Sequence, residues 1–340
     1  MSVEKQPSLD RKLVLQHSPL DGQAIKDLTA AAMTWLNTNK QTVNALNVFP
    51  VPDGDTGTNM MLTMQSAFDE IQNSPEVHAG KMFGAVAQGA LMGARGNSGV
   101  ILSQIWRGIA SAMKNESVVT GKNLTAAFAS ARDTAYKGVV RPVEGTILTV
   151  IKDVAAATGK AIDTDDDPVE ILEVAVQAAA ESVERTPDLL PVLKEAGVVD
   201  SGGKGLFFLL EGMVRWINNE PLDVALAEVK PLDAMQLDNT LAEIEEGQDY
   251  EVVVDFRPNS PLHLESFYAG LEEMGTSIQV GEGEGMYRMH IHVPTENRYI
   301  PIDYCMELGT VTNVAIENLM AQMAAIESTA VARIDLTPLE

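Results

Sequence analysis

The chain has 340 residues, of which 45% are hydrophobic and 21% charged, and its formal net charge is −24. That is enough apolar material for a buried core and for two domains, while the acidic balance opposes any basic surface for nucleic acid or anionic lipid, so neither partner is expected. A lone cysteine, Cys305, excludes an intramolecular disulfide and a cysteine-rich zinc module, which fits a reducing cytoplasm.

Residues 1–20 are polar, have no apolar signal core and are expected to be loosely ordered. The first helical period is Ile25, Leu28, Ala32, Trp35, Leu36, with Trp35 read as packing. The stretch from Asn47 to Asn59, NVFPVPDGDTGTN, is the densest in chemistry. Pro50 and Pro52 fix φ and hold the approach extended, while Gly54 and Gly57 let Asp53 and Asp55 turn toward one point. Two such carboxylates suit Mg²⁺, which takes few protein ligands and completes its shell with water and phosphate oxygens. The plainer reading is a turn with Thr56 or Thr58 capping the helix NMMLTMQSAFDEIQ. An EF-hand is excluded, because Thr58 and Met64 stand where its glycine and glutamate belong.

Phe83, Val86, Ala87, Ala90 and Leu91 mark the next helix, and Val100 to Met113 another. Between them lies the glycine turn Ala94-Arg95-Gly96-Asn97-Ser98-Gly99, whose small residues at a helix start can offer N–H groups to phosphate. No P-loop is present, since Ser201-Gly202-Gly203-Lys204-Gly205 lacks both the spacing and the hydroxyl after lysine. Further helical patterns lie near 122–138, 145–158, 168–186 and 204–219, which makes eight helical segments before residue 220 and no strand. Thr146 and Asp200 each precede a helix and read first as caps, and the acidic run Asp163 to Pro168 reads as a solvated turn. Leu206 to Ile217 is interrupted by Glu211 and Arg215 and is a core helix rather than a membrane span.

The pattern breaks from Asn219 to Gln248, and YEVVVDF then alternates as a strand. The order expected beyond it is strand 250–256, helix 263–274, strands 276–281 and 286–293, and helices 300–308 and 313–327. Met289-His290-Ile291-His292-Val293 places both imidazoles on one strand face. That pair can seat zinc, but without a third ligand it reads more readily as the polar face of a half-buried strand. Cys305 reads as a small core residue.

The motifs NALNVFPVPDGDTGTNM and GARGNSGVILSQ resemble the nucleotide-binding domain of the fatty acid kinase A subunit, which is similar to the ATP-binding subunit of dihydroxyacetone kinase. The resemblance runs from roughly Asp21 to the end of the chain. It implies an all-α eight-helix barrel with ATP at one end, followed by a smaller α+β domain. The corresponding division is a flexible N-terminus 1–20, a kinase domain 21–219, a linker 220–248, a middle domain 249–328 and a tail 329–340. Mg²⁺ and ATP are the implied cofactors. Asp53 and Asp55 match two of the family's three metal-binding acids and would carry catalysis with the metal. Asn47 is the candidate for the third place, although an amide oxygen holds a divalent ion less tightly than a carboxylate. Thr56, Thr58, Asn59, Gly96, Asn97, Ser98 and Gly99 are expected to contact the nucleotide. Thr146, Asp200 and Gly202 join them because the corresponding loops of similar proteins cover it. The relatives' third zinc ligand, a cysteine on the neighbouring strand, has no counterpart around Tyr250-Glu251, which leaves either substitution by Glu251 or loss of the site.

The implied reaction transfers the γ-phosphoryl of Mg·ATP to a fatty acid carboxylate presented by a separate lipid-binding protein. The rival readings are a kinase subunit for dihydroxyacetone or another small polyol, and a non-catalytic nucleotide sensor. A cytoplasmic protein without membrane insertion is expected, and homodimerisation stays open. The family's further C-terminal domain has no counterpart in this sequence, so a piece of a longer protein or a short relative is expected, able to bind Mg·ATP but poor at using a partner-bound acceptor.

Overall fold

A computed structural model describes residues 11–17, 19–163, 166–224, 248–283 and 285–321. Eight long helices alternate in direction: α2 (Gly22–Thr38), α4 (Thr56–Ile71), α5 (Ala79–Met92), α6 (Gly96–Met113), α7 (Gly121–Lys137), α8 (Ile147–Ala161), α9 (Pro168–Leu189) and α11 (Ser201–Ile217). Three short ones, α1 (Arg11–His17), α3 (Lys40–Ala45) and α10 (Pro191–Ala196), join them. Each long helix packs on its neighbour in chain order, and α11 returns to α2, which closes the ring into the barrel that the resemblance implies. Apolar stripes at helical spacing explain the closure. Trp35, Met60, Met64, Met82, Leu102 and Leu148 all turn inward and are buried, each such burial stabilising by about 1.5–3 kcal/mol. Among the described residues no helix is long and apolar enough to cross a membrane.

Two expectations need correction. Residues 11–17 form a helix rather than loose chain, with Arg11 donating to the Trp216 carbonyl at 3.1 Å and stacking on its ring. Of the helix expected over 313–327, residues 313–318 belong instead to strand β4 (Gly309–Asn318), and residues 319–321 are helical. Thr310, Val311, Thr312, Val314 and Ile316 are β-branched and suit a pleated surface better than a helix, and β1 offers them a ladder. The rest of that segment, most of the linker and the tail lie outside the described residues.

The second region contains β1 (Tyr250–Pro258), α12 (Leu264–Glu272), β2 (Thr276–Gly283), β3 (Met286–Val293), α13 (Ile300–Leu308) and β4. Its antiparallel sheet has the order β2-β3-β1-β4. Strand alternation splits the residues between two faces. Val252, Val254, Phe256, Ile278, Val280, Met289 and Ile291 pack on Phe267, Leu271 and Cys305 of the two helices. The opposite face carries Asp255, Gln279, Arg288, His290 and His292, and these are buried as well, because that face lies on the barrel. Gly281 and Gly283 permit the approach: a Cβ on the first would stand 2.8 Å from Leu91 Cδ1, and on the second 2.5 Å from Leu91 Cδ2. The outer edge of β2 is completed by residues 138–140 of the barrel, with Val280 N donating to Gly138 O at 3.1 Å and Val140 N to Ile278 O at 3.4 Å.

Candidate functional site

Pro50 and Pro52 carry the chain from α3 into α4 through a loop in which Gly54 adopts φ +70°. Asn47 is the buried centre of this loop. Its Nδ2 donates to Val51 O at 2.8 Å and to Asp53 Oδ1 at 2.7 Å. Its Oδ1 accepts from the hydroxyls of Thr56 and, at 3.4 Å, Ser201. In this arrangement the amide presents N–H rather than oxygen toward the carboxylates and orients Asp53. Asp55 Oδ2 accepts from Asn59 Nδ2 at 2.8 Å, and Thr58 is occupied on both sides by Asn44, through its N–H at 3.1 Å and its hydroxyl at 3.1 Å. Thr56 and Thr58 therefore turn their hydroxyls into the protein.

Because alternate helices run the same way, the N-termini of α4, α6, α8 and α11 meet at one end of the barrel. Asn59 on α4 packs against Gly96 of α6, where φ is +56° and a Cβ would collide with the Asn59 amide. Ser201 on α11 meets Thr56 of α4 at 3.2 Å. The Asp200 carboxylate accepts from Gly203 N at 2.6 Å and interacts with the Ile147 amide of α8. The four termini are not equivalent. Thr146 caps α8 by accepting from Leu148 N at 3.3 Å, and Asp200 caps α11. The residue before α4 and the one before α6, the two helices that flank the carboxylates, make no such cap bond, although Asn44 takes the Thr58 amide of α4. Uncapped N–H groups and the partial positive charge of a helix start are what an anion needs. Asn97, Ser98 and Gly99 begin α6, so the structure brings the glycine turn and the Asp53–Asp55 loop together. Thr146 and Asp200 serve the fold as caps, and Gly202 packs against Ile147.

Electrostatics single out the same place. Burial, then the neighbouring Asp55 carboxylate, push Asp53 up to about 8. Burial also raises Asp55, against hydrogen bonds from Asp53 and Asn59 that lower it. Two half-buried acids without a cation resist ionisation, and a divalent ion would reverse that. Asp200 is pushed up to about 7 by burial, against the Gly203 and Ile147 amides.

The middle-region sheet adds three more titratable groups. Glu251 stands across the strand pair from His292, and its carboxylate oxygens lie 3.4 Å from His290 Nε2 and 3.8 Å from His292 Nε2. One ligand atom from each of the three residues falls within 4.8 Å of the others. His290 Nε2 and both ring nitrogens of His292 are buried without a hydrogen-bond partner. Burial would raise Glu251, but the two imidazoles outweigh it and hold the acid well below the usual range. Burial lowers His292, only partly offset by Glu251. A metal would take the place of the protons on these groups, and the donor set fits zinc with an open fourth position. The face is buried, not half-buried, and Glu251 stands beside the two histidines, where a third ligand could come from.

Residues 50–215 match the DAK2 domain, and residues 247–326 match the FakA-like middle domain of fatty acid kinases. The chain carries a DAK2 domain followed by a FakA-like middle domain. Uncharacterized proteins of Staphylococcus aureus strains USA300, NCTC 8325 / PS 47 and COL are each 37% identical to it over 312 residues, which is 90% of this chain and 57% of theirs. The DAK2-domain chain therefore spans little more than half the length of these relatives. Among solved structures, the dihydroxyacetone kinase from C. freundii in complex with AMP-PNP and Mg²⁺ superposes with a TM-score of 0.45 at 16% identity, over 64% of this chain and 37% of that one. Its native form gives 0.41 at 16% identity, over 63% and 36%.

Sequence reasoning missed Ser201 as the partner of Thr56, and it missed Asp255, Gln279 and Arg288 altogether. A charge in the interior of each of two apolar strands, Asp255 in YEVVVDF and Arg288 in MYRMHIHV, was the available signal.

Proposed function

We propose that this protein is the nucleotide-binding subunit of a fatty acid kinase. The observation that carries the reading is the meeting of two helix starts, α4 and α6, whose N-cap residues leave first-turn amides free, beside the paired carboxylates Asp53 and Asp55. Asp53 and Asp55 would hold Mg²⁺, and the Asn97-Ser98-Gly99 backbone would receive a phosphate of the nucleotide. Mg²⁺ supplies charge neutralisation. The protein supplies alignment and preorganised N–H groups. A carboxylate oxygen of the acceptor bonds to the γ-phosphorus as the bond to the β,γ-bridging oxygen breaks, giving an acyl phosphate and ADP. The acceptor is already ionised near neutral pH, so no general base is needed. The FakA-like middle domain supports a fatty acid acceptor carried by a separate protein. Glu251, His290 and His292 form a second cation site in the middle domain, suited to zinc.

The test is incubation of the protein with Mg·ATP and a fatty-acid-loaded lipid-binding protein, with hydroxylamine trapping of the acyl phosphate. Trapped acyl hydroxamate that disappears in Asp55→Asn supports the reading. Phosphorylation of dihydroxyacetone in place of the carried fatty acid would show the polyol kinase, and nucleotide binding without transfer to either would show a sensor.

A further inference from the structure

The middle domain lays its polar sheet face on the barrel, and two side chains of that face end on the glycine turn. Arg288 is 6% exposed. Its Nε and Nη2 donate to the two oxygens of Asp255, directly across the β1–β3 pair, at 2.6 Å each. Its Nη1 donates to the carbonyls of Leu91 at 2.7 Å, Met92 at 3.0 Å and Ala94 at 2.9 Å. A terminal guanidinium nitrogen carries two hydrogens, so these three acceptors share them. They are the carbonyls that end α5 and open the turn, where a helix is short of donors and its dipole is negative. Three residues, Gly93 to Arg95, separate the end of α5 from the start of α6. At that length, moving the last carbonyls of one helix moves the first amides of the next. Gln279 on β2 reaches the turn from the other side, its Nε2 donating to Asn97 Oδ1, and its own Oε1 is buried without a partner.

We propose that Arg288, held by Asp255, and Gln279 are positioning residues for the phosphate-binding turn, so that the barrel binds nucleotide phosphates well only with the middle domain docked. This rests on the reading of Gly96 to Gly99 as the phosphate site. Lysine cannot reproduce the arrangement, because a single ammonium point cannot fork to both Asp255 oxygens while also reaching three carbonyls. Gln279 orients the side chain of Asn97 and leaves its backbone N–H to the ligand.

Arg288→Lys and Gln279→Leu, each in the full chain, test the idea. Affinity for Mg·AMP-PNP, measured by calorimetry, is expected to fall about tenfold, within the usual range of couplings between sites. Affinity for AMP, which lacks the β- and γ-phosphates, is expected to hold. Amides of the 96–99 turn are expected to exchange faster with deuterium while amides in the middle of the barrel helices keep their protection. Unchanged Mg·AMP-PNP affinity in both variants overturns the proposal, and so does an equal loss for both nucleotides, which is what general loosening would produce. If the unsubstituted protein binds no nucleotide, the phosphate-site reading fails. Exchange at the turn then judges the positioning claim alone, which falls if neither variant exchanges faster there. If Arg288→Lys does not fold, Gln279→Leu decides, since it removes no charge.

Discussion

Replacing Asp53 with asparagine should stabilise the metal-free protein while removing its ability to hold Mg·ATP. In the folded state Asp53 is pushed up to about 8 by burial and by Asp55, against an ordinary value near ~4 in an unfolded chain. A raised acid contributes stability that is fully present below the unfolded value and is lost as pH rises through the folded one. Near pH 7 the separation is about three units, which at about 1.4 kcal/mol per unit sets a ceiling of about 4 kcal/mol. Relaxation of the loop brings the gain to the order of 2–4 kcal/mol, because buried sites behave as if more polarisable than a dry interior. Asparagine keeps the shape, and its side-chain oxygen can still accept from Asn47 Nδ2, which sits 2.7 Å from Asp53 Oδ1. For a domain of this size the gain corresponds to a melting temperature higher by roughly 5–10 °C. The assay is thermal unfolding from pH 5 to 9, with and without Mg·AMP-PNP. Without metal, the wild type should lose stability as pH rises toward 8, and Asp53→Asn should lose less, keeping only the slope due to Asp55 and Asp200. With Mg·AMP-PNP the order should reverse, since the ligand stabilises only the protein that binds it. A variant that melts lower than wild type at pH 8 without metal, or that is stabilised equally by Mg·AMP-PNP, would refute the reasoning.

Gly96→Ala should cost stability of about 1–2 kcal/mol through its left-handed backbone and displace Asn59 from the approach to Asp55. A drop in urea midpoint together with weaker nucleotide binding would show this, and unchanged binding would separate the turn from the carboxylates. Chelator-stripped protein should take up stoichiometric zinc that His292→Ala abolishes. Mass spectrometry under native conditions reads the result, and failure of the unsubstituted protein to bind zinc would leave the cluster as a buried ion pair.

The loop 47–59 was legible because prolines, glycines and acids crowd into a few residues, and backbone chemistry alone restricts what such a run can do. The ring of eight helices was legible from apolar spacing. The direction of the Asn47 amide was not. It is set by Val51, Asp53 and Thr56 once the loop has folded, and Ser201, far along the chain, joins them only after α11 closes the barrel. Strand β4 was misread because its alternation is weak where its residues stay exposed, and the β-branched run that reveals it competes with a plausible helical period. Arg288 and Asp255 were invisible as a pair, since two charges in separate strands become partners only when register is known. Burial of the histidine face was hidden for a related reason. Its cover comes from the other domain.

The completion of β2 by residues 138–140 bears on how this chain can be divided. An edge strand with free N–H and C=O groups is a template for pairing with any extended segment, and here the barrel occupies that edge through Gly138 and Val140. Cutting the chain between the two regions, or loosening their contact by substitution, would bare the edge together with a sheet face built for contact rather than for water. Misassembly of such a fragment would then come from an opened seam between units, with every residue of each core still in place.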